Sequence, residues 1–397
     1  MPDLLQGAQN LLITLASFVV VLSVVVFVHE FGHFQVARWR RVAIDTFSIG
    51  FGKTLFGWRD KNGVQWKVGA LPLGGYVKFA DDADAMSSGP RERLDDPLAM
   101  AEARAKGLFH AQSLSTRSLV VAAGPITNFI FALFAFALVA LIVGRDTTDV
   151  NAIPARVADV MANSAAAAAG LRSGDVIVSV DGQPTRNFAD LQAQVGPSAG
   201  RQLSVEIVRN GARRTLALTP TRGREGRAVI GVSGPLPLPS EITTVPYGPL
   251  EAIGVGAAST WQIIAQTGAY IGGVFTGRES GNQIAGPLGI INVSGQVANN
   301  ALDVPNTTLA QKLQFLALSL LNLAAVLSVA VGIVNLLPIP ILDGGHLLFY
   351  GIEAARGGKP LPPSAQEWAY RAGFAVMASL FLFATWNDIT RLFPGAQ

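Results

Sequence analysis

Residues 26–41 read VFVHEFGHFQVARWRR, and they follow LLITLASFVVVLSVVVFV (11–28), a run without a single charge. About twenty apolar residues are needed to cross a bilayer, so this stretch reads as a membrane-spanning helix ending at Arg38, Trp39, Arg40 and Arg41. His29, Glu30 and His33 sit in its last turns. On a helix, residues four apart share a face, so the two imidazoles can bind one cation, with Glu30 beside them as a proton acceptor. Zinc held this way lowers the pKa of a bound water to about 7, the chemistry of a metal-dependent hydrolase. The bland alternative is a pair of interfacial histidines with a snorkelling glutamate.

The rest of the chain agrees with a membrane setting. Of its 397 residues half are hydrophobic and 14% charged, with a mean hydropathy of +0.39. The absence of cysteine excludes disulfides, thiolate metal sites and cysteine nucleophiles, and a formal charge of +3 gives no reason to expect nucleic acid. Further spans are expected at about 119–143, 315–341 (a segment 313–345 with its flanks) and 372–393. The stretch 236–312 reads as a proline-rich linker followed by an amphipathic segment on the membrane surface, with a fifth span as the lesser alternative. No basic leader or small-residue cleavage site marks a signal peptide, and the arginines after the first span put the N-terminus outside and the 38–118 loop in the cytoplasm. The region 144–312 then lies outside and the loop 346–371 inside.

Two smaller units stand out. In the cytoplasmic loop, Asn62-Gly63 with alternation at Val64, Trp66 and Val68 predicts a β-hairpin, and Arg91 to Lys106 is compatible with a solvated helix. Residues 152–235, with AGLRSGDVIVSVDG, a helix capped at Asn187 and an RNGARR turn, predict a compact α+β domain.

Two histidines leave a zinc site incomplete, since catalytic sites use three protein ligands. The topology places Asp343, in NLLPIPILDGG, at the same cytoplasmic face as the histidines, as third ligand or as a helix cap. Asp388 in WNDITRL is a weaker candidate because its span ends on the opposite face. Gly124, Pro125 and Asn128 read at least as well as packing residues as catalytic ones, and His346 and His110 as local structure.

HEFGH (29–33), GALPLGGYVKF (69–79), AAGPITNFIFALF (122–134), NLLPIPILDGGH (335–346) and WNDITRLF (386–393) together resemble the site-2 protease family of intramembrane zinc metalloproteases, nearest to its regulator-of-sigma-E type. The resemblance implies an α-helical polytopic membrane protein of about four transmembrane helices, with a membrane-associated β-hairpin and one extracytoplasmic PDZ-like α+β domain. It implies Zn2+ on His29, His33 and Asp343, Glu30 as general base and then acid, and substrate contacts from Asn335, Pro338, Pro340, Gly74, Gly75 and Tyr76. Val229, Ile230, Gly231 and Val232 would form the peptide-receiving strand of the PDZ-like domain. The implied substrates are single-pass membrane proteins such as anti-sigma factors, cut first outside by a site-1 protease, at the bacterial inner membrane. That type has two PDZ domains in tandem, whereas this chain has room for one. Two other readings compete: a membrane zincin with a soluble catalytic domain, and a scaffold built on the PDZ-like domain with a vestigial metal site.

Overall fold

The computed structural model describes residues 2–80, 96–223, 226–238, 240–305 and 307–392. It divides into two compact units, 1–141 with 248–397, and 142–247.

The first unit is helical. Among its described residues four helices are long and apolar enough to cross a membrane: α1 (Pro2–Trp39), α3 (Leu114–Val143), α8 (Leu309–Asn335) and α10 (Pro363–Leu392). Between them lie α2 (Pro97–Ala105), α6 (Pro249–Phe275), α7 (Pro287–Leu302) and α9 (Asp343–Ala355), while α4 (Ala165–Ala168) and α5 (Phe188–Val195) belong to the second unit. The spanning helices are apolar all round: Leu12, Val20, Phe134, Leu138, Phe381 and Leu382 are exposed, while Val21, Val25, Ala132 and Val329 are buried between helices. An exposed face of that kind is stable against lipid and not against water, so the chain is a polytopic helical membrane protein.

Several expectations need correcting. The third apolar segment is not one helix to residue 345. It stops at Asn335, because Pro338 and Pro340 have no backbone N–H to continue the ladder, and a tight turn leads to α9. A Cβ on Gly344 or Gly345 would land on the carbonyls of Leu336 and Ile339, so the glycine pair lets the first turn of α9 pack onto that turn. Most of 346–371 is helix rather than loop, shared between α9 and the start of α10. The expected membrane-surface segment is two helices. In α6, Gly256 has no room for a Cβ against Leu133 and Ala137 of α3, and Ile263 and Ile264 join the core of Phe136, Ala325 and Val329. Small residues that admit close backbone approach favour such lengthwise packing over a free surface helix. The α7 helix packs through Ser294, Gly295 and Ala298, with Gly295 against Thr14 of α1. Asp388, the alternative metal ligand, instead accepts the backbone N–H groups of Gly286 (3.0 Å) and Gly289 (2.8 Å) at the start of α7. Asn387 beside it donates to the Gly281 carbonyl at 3.2 Å.

The α1–α3 connection carries β1 (Ile44–Arg59) and β2 (Gln65–Phe79). The hairpin closes at Asn62-Gly63 as expected, with Asp60 accepting from the N–H groups of Asn62 and Val64. Both strands then bend, and the register shows more than a simple hairpin. Residues 54–59 pair antiparallel with 65–69. The 65–68 run also pairs with 46–49 in rising register, and 46–49 pairs antiparallel with 75–78. Four short segments thus form one sheet, with 75–78 at its end. Phe47 and Trp66 bury against Phe34 of α1 and fix the sheet to that helix. Of the helix expected from Arg91 to Lys106, α2 covers Pro97–Ala105, and 91–95 lie outside the described residues.

The second unit is a PDZ-like domain. Strands 155–156, 176–180, 203–209 and 212–218 form an antiparallel sheet in that order, with 183–184 also on 176–180. Asn187 caps α5 by accepting from the Asp190 N–H at 2.8 Å. Asn210 and Gly211, both at positive φ, make the 209–212 hairpin turn expected of that pair. Asp175 is buried and clamped by Arg209 at 2.7 and 2.6 Å. Burial would raise its pKa, but hydrogen bonds from Arg209 and the Arg172 N–H hold it below the usual carboxylate range. The unit is wider than 152–235 because residues 145–146 pair with 244–245 and draw both ends in. The stretch Val229–Val232 is not a straight free edge. Val229 pairs with Thr221, Ile230 is buried in the core, Gly231 turns the chain at φ 79, and Val232 pairs with Val160. An added peptide strand therefore finds no continuous four-residue ladder there.

Candidate metal centre

Helix α1 runs unbroken through the HEFGH motif, so His29 and His33 lie one turn apart, edge to face, with ring centroids at 4.8 Å. Their Nε2 atoms are 3.2 Å apart. Asp343, delivered at the first position of α9, places Oδ2 3.1 Å from His29 Nε2 and 3.4 Å from His33 Nε2. That oxygen is buried without a hydrogen bond, and the cap of α9 makes no side-chain bond, so Asp343 is not the helix cap it could have been. Three donor atoms on one small triangle are what a cation requires. Zinc bonds of about 2.0–2.1 Å in tetrahedral geometry put ligand atoms roughly 3.3 Å from one another, so the residues present fit zinc. Among the described residues this is the one such group.

Helix α3 supplies the layer behind the histidines. The Val120 carbonyl is 2.8 Å from His33 Nδ1, and the Asn128 side chain is 3.1 Å from His29 Nδ1. Asn128 is fully buried, and Ser328 of α8 holds it through its amide and its main-chain oxygen. Between these two positions, Gly124 faces the rings. A Cβ there would overlap His33 Nε2 and lie 2.6 Å from His33 Cε1 and 2.8 Å from His29 Cε1. Alanine is the better helix former by roughly 1 kcal/mol, so helix propensity alone would make Gly124→Ala stabilising. The contact reverses the outcome: Gly124→Ala is expected to lose bound zinc, read by metal analysis of purified protein, while its helix content in circular dichroism is unchanged.

The β-sheet forms a wall beside Glu30. A Cβ on Gly75 would lie 3.0 Å from Glu30 Cγ, 2.9 Å from Val26 Cγ1 and 2.8 Å from the Ser48 carbonyl, so only glycine lets the strand come this close. Gly74 adopts φ 128, with the Phe51 ring packed where a side chain would project, and Tyr76 stacks on that ring at 5.8 Å. A cavity of about 840 Å³ joins His29, Glu30, Gly75, Tyr76, Asn335 and Asp343. Pro338 and Pro340 do not line it. They break the helix, and Pro340 packs under Gly373 of α10. His346 lines the cavity against the Tyr370 ring at 6.0 Å, and His110 also faces it. The buried pair Arg117–Glu353, at 2.6 and 3.2 Å, ties the first turn of α3 to α9 and so steadies the helix that carries Asp343.

Residues 17–380 match peptidase family M50 over nearly the whole chain. The chain belongs to peptidase family M50. This is the site-2 protease family, and a Rhizobium meliloti protein 41% identical over 97% of this chain is named a putative zinc metalloprotease. It is 38% identical over 404 positions to metalloprotease MmpA of Caulobacter vibrioides, covering 96% of each chain. It is 32% identical to the regulator of sigma-E protease RseP of Salmonella typhimurium, covering 96% of this chain and all of that one. The RseP alignment runs over 478 positions against 397 residues here, so at least 81 of its positions have no counterpart in this chain. A solved PDZ domain of an SdrC-like protein from Listeria monocytogenes is 18% identical over 20% of this chain and 85% of its own, with a TM-score of 0.19.

In this M50 chain the residues singled out from sequence as metal ligands are brought together, and so are Glu30, Asn335, Gly75 and Tyr76. What sequence reasoning missed is the role of α3. Val120, Gly124 and Asn128 recur every four residues, the same interval as His29 and His33, so one face of α3 lies along one face of α1.

Proposed function

We propose that this M50 chain is an intramembrane endopeptidase that cuts the transmembrane segments of single-pass membrane proteins. The observation that carries the reading is a triangle of three donors, two on a membrane-spanning helix and the third at the start of α9, walled by a sheet whose end segment brings Gly75 beside Glu30. His29, His33 and Asp343 would hold zinc. Bound there, zinc acts as a Lewis acid and makes a nucleophilic water available at neutral pH. Glu30 takes the proton of the attacking water and returns it to the leaving amine. Asn335, at the end of α8 and on the same cavity, donates a hydrogen bond to the oxygen of the carbonyl under attack. A helical substrate shields its peptide bonds, and segment 75–78 gives an unwound substrate a strand to pair with through Gly75 and Tyr76.

In this reading His33 precedes Arg38 by five residues, about 7–8 Å along a helix, which sets the site just inside the cytoplasmic boundary. The N-terminus and the PDZ-like domain face the extracytoplasmic side of a bacterial inner membrane. The substrates are of the anti-sigma-factor kind, trimmed first by a separate extracytoplasmic protease. The test is reconstitution of purified protein in liposomes with a single-span substrate, mapping fragments by mass spectrometry. Expected are zinc-dependent cuts within or at the edge of the apolar segment. Cuts confined to soluble parts of the substrate would sink the proposal.

A further inference from the structure

A fully buried asparagine inside a membrane span is costly unless its amide is used, and here both ends of the amide have partners. We propose that Asn128, anchored by Ser328, is a positioning residue that fixes the tautomer and ring orientation of His29 for zinc. The inference rests on the reading of His29, His33 and Asp343 as zinc ligands.

His29 Nε2 points at the Asp343 carboxylate, so Nε2 is the nitrogen left for the metal. A neutral imidazole that binds through Nε2 carries its proton on Nδ1, and that N–H needs an acceptor. The group 3.1 Å away is the Asn128 amide, drawn with its nitrogen toward the ring and its oxygen accepting from Ser328 Oγ. Amide oxygen and nitrogen occupy nearly equivalent positions and exchange by turning the amide over. With the amide oxygen toward the ring, each donor finds one acceptor: His29 Nδ1–H donates to Asn128, the Asn128 amide N–H donates to Ser328 Oγ, and the Ser328 hydroxyl donates to the Asn128 main-chain carbonyl at 3.2 Å. Turned the other way, the same amide donates to an unprotonated Nδ1. Zinc on Nε2 requires the first orientation, in which the Asn128 oxygen keeps the His29 proton on Nδ1.

The two histidines are treated differently. His33 Nδ1 faces the Val120 carbonyl, which can only accept, so the backbone sets that tautomer whatever the sequence. His29 depends on a side chain, and its contribution to metal affinity can be changed without touching any ligand.

The test is zinc titration of full-length, detergent-solubilised protein, stripped of metal, against a chromophoric chelator. Loss of an outer partner of a ligating histidine weakens metal affinity about 10–100-fold. Asn128→Leu is expected to show a loss of that size and Ser328→Ala a smaller one in the same direction. Asn128→Asp, which keeps an acceptor facing Nδ1–H, is expected to restore affinity to within a few-fold of the parent. Unfolding midpoints of the metal-free proteins separate packing from positioning, because a packing role alone gives Asn128→Asp no advantage over Asn128→Leu in zinc affinity. Parent-like affinity in both Asn128→Leu and Ser328→Ala overturns the proposal, as does equal loss in the Leu and Asp variants. Should Asn128→Leu not fold, Ser328→Ala and Asn128→Asp decide it. A parent protein that takes up no zinc overturns the metal-site reading itself.

Discussion

Glu30→Gln is expected to keep a full complement of zinc and to lose cleavage. Glutamine has the size and shape of glutamate, and Glu30 faces the cavity without belonging to the metal triangle, so the three donor atoms stay in place. What disappears is the capacity to accept a proton from water and hand it on. General acid–base catalysis contributes typically about 10²–10⁴-fold, and one residue here serves both steps, so the loss should lie toward the upper end. The measurement is metal content by elemental analysis alongside the initial rate on a single-span substrate. A rate above a tenth of the parent's, at equal zinc, would show that another group carries the proton.

Asp343→Ala and Asp343→Asn are expected to lose both zinc and cleavage. Four-ligand zinc sites bind with apparent free energies of about 10–16 kcal/mol, roughly 3 kcal/mol per ligand, so removing one weakens binding on the order of 10²-fold. The asparagine variant separates two roles. Asparagine caps helices as well as aspartate does, so a capping residue would tolerate it, whereas the amide is a poor substitute for a charged ligand. Parent-like zinc affinity in Asp343→Asn would remove Asp343 from the ligand set.

These predictions divide along the line between what the sequence makes legible and what it does not. His29, Glu30 and His33 are close in the chain, and their chemistry is carried by helical spacing alone. Asp343 is far away in sequence but legible through the expected topology, in which the arginines after α1 put the ends of the first and third spans on one face. The layer behind the ligands is invisible by the same logic. Whether Asn128 meets His29 depends on how α3 rotates against α1, and no local pattern encodes that rotation. Helix α7 escaped for a related reason. Its small and polar buried face, Ser294, Gly295 and Ala298, meets other helices, so it lacks the sustained hydropathy of a span. The break before α9 was present in Pro338 and Pro340, but continuous apolar composition on both sides concealed it. In the sheet, the Asn62-Gly63 turn was readable, while the return of both strands at the glycines beyond it was not.

The break between α8 and α9 has a bearing on when the enzyme can exist. Two ligands lie near the start of the chain, and the third lies past the PDZ-like domain, on the far side of the turn made by Pro338 and Pro340. A ribosome that has delivered α1 and α3 to the membrane has produced both histidines and their backing, but no carboxylate to close the triangle. The three donors are therefore complete only late in synthesis, with α9 and α10 still to follow. Until Asp343 is made, the chain holds two of the three donors and no carboxylate to complete the triangle.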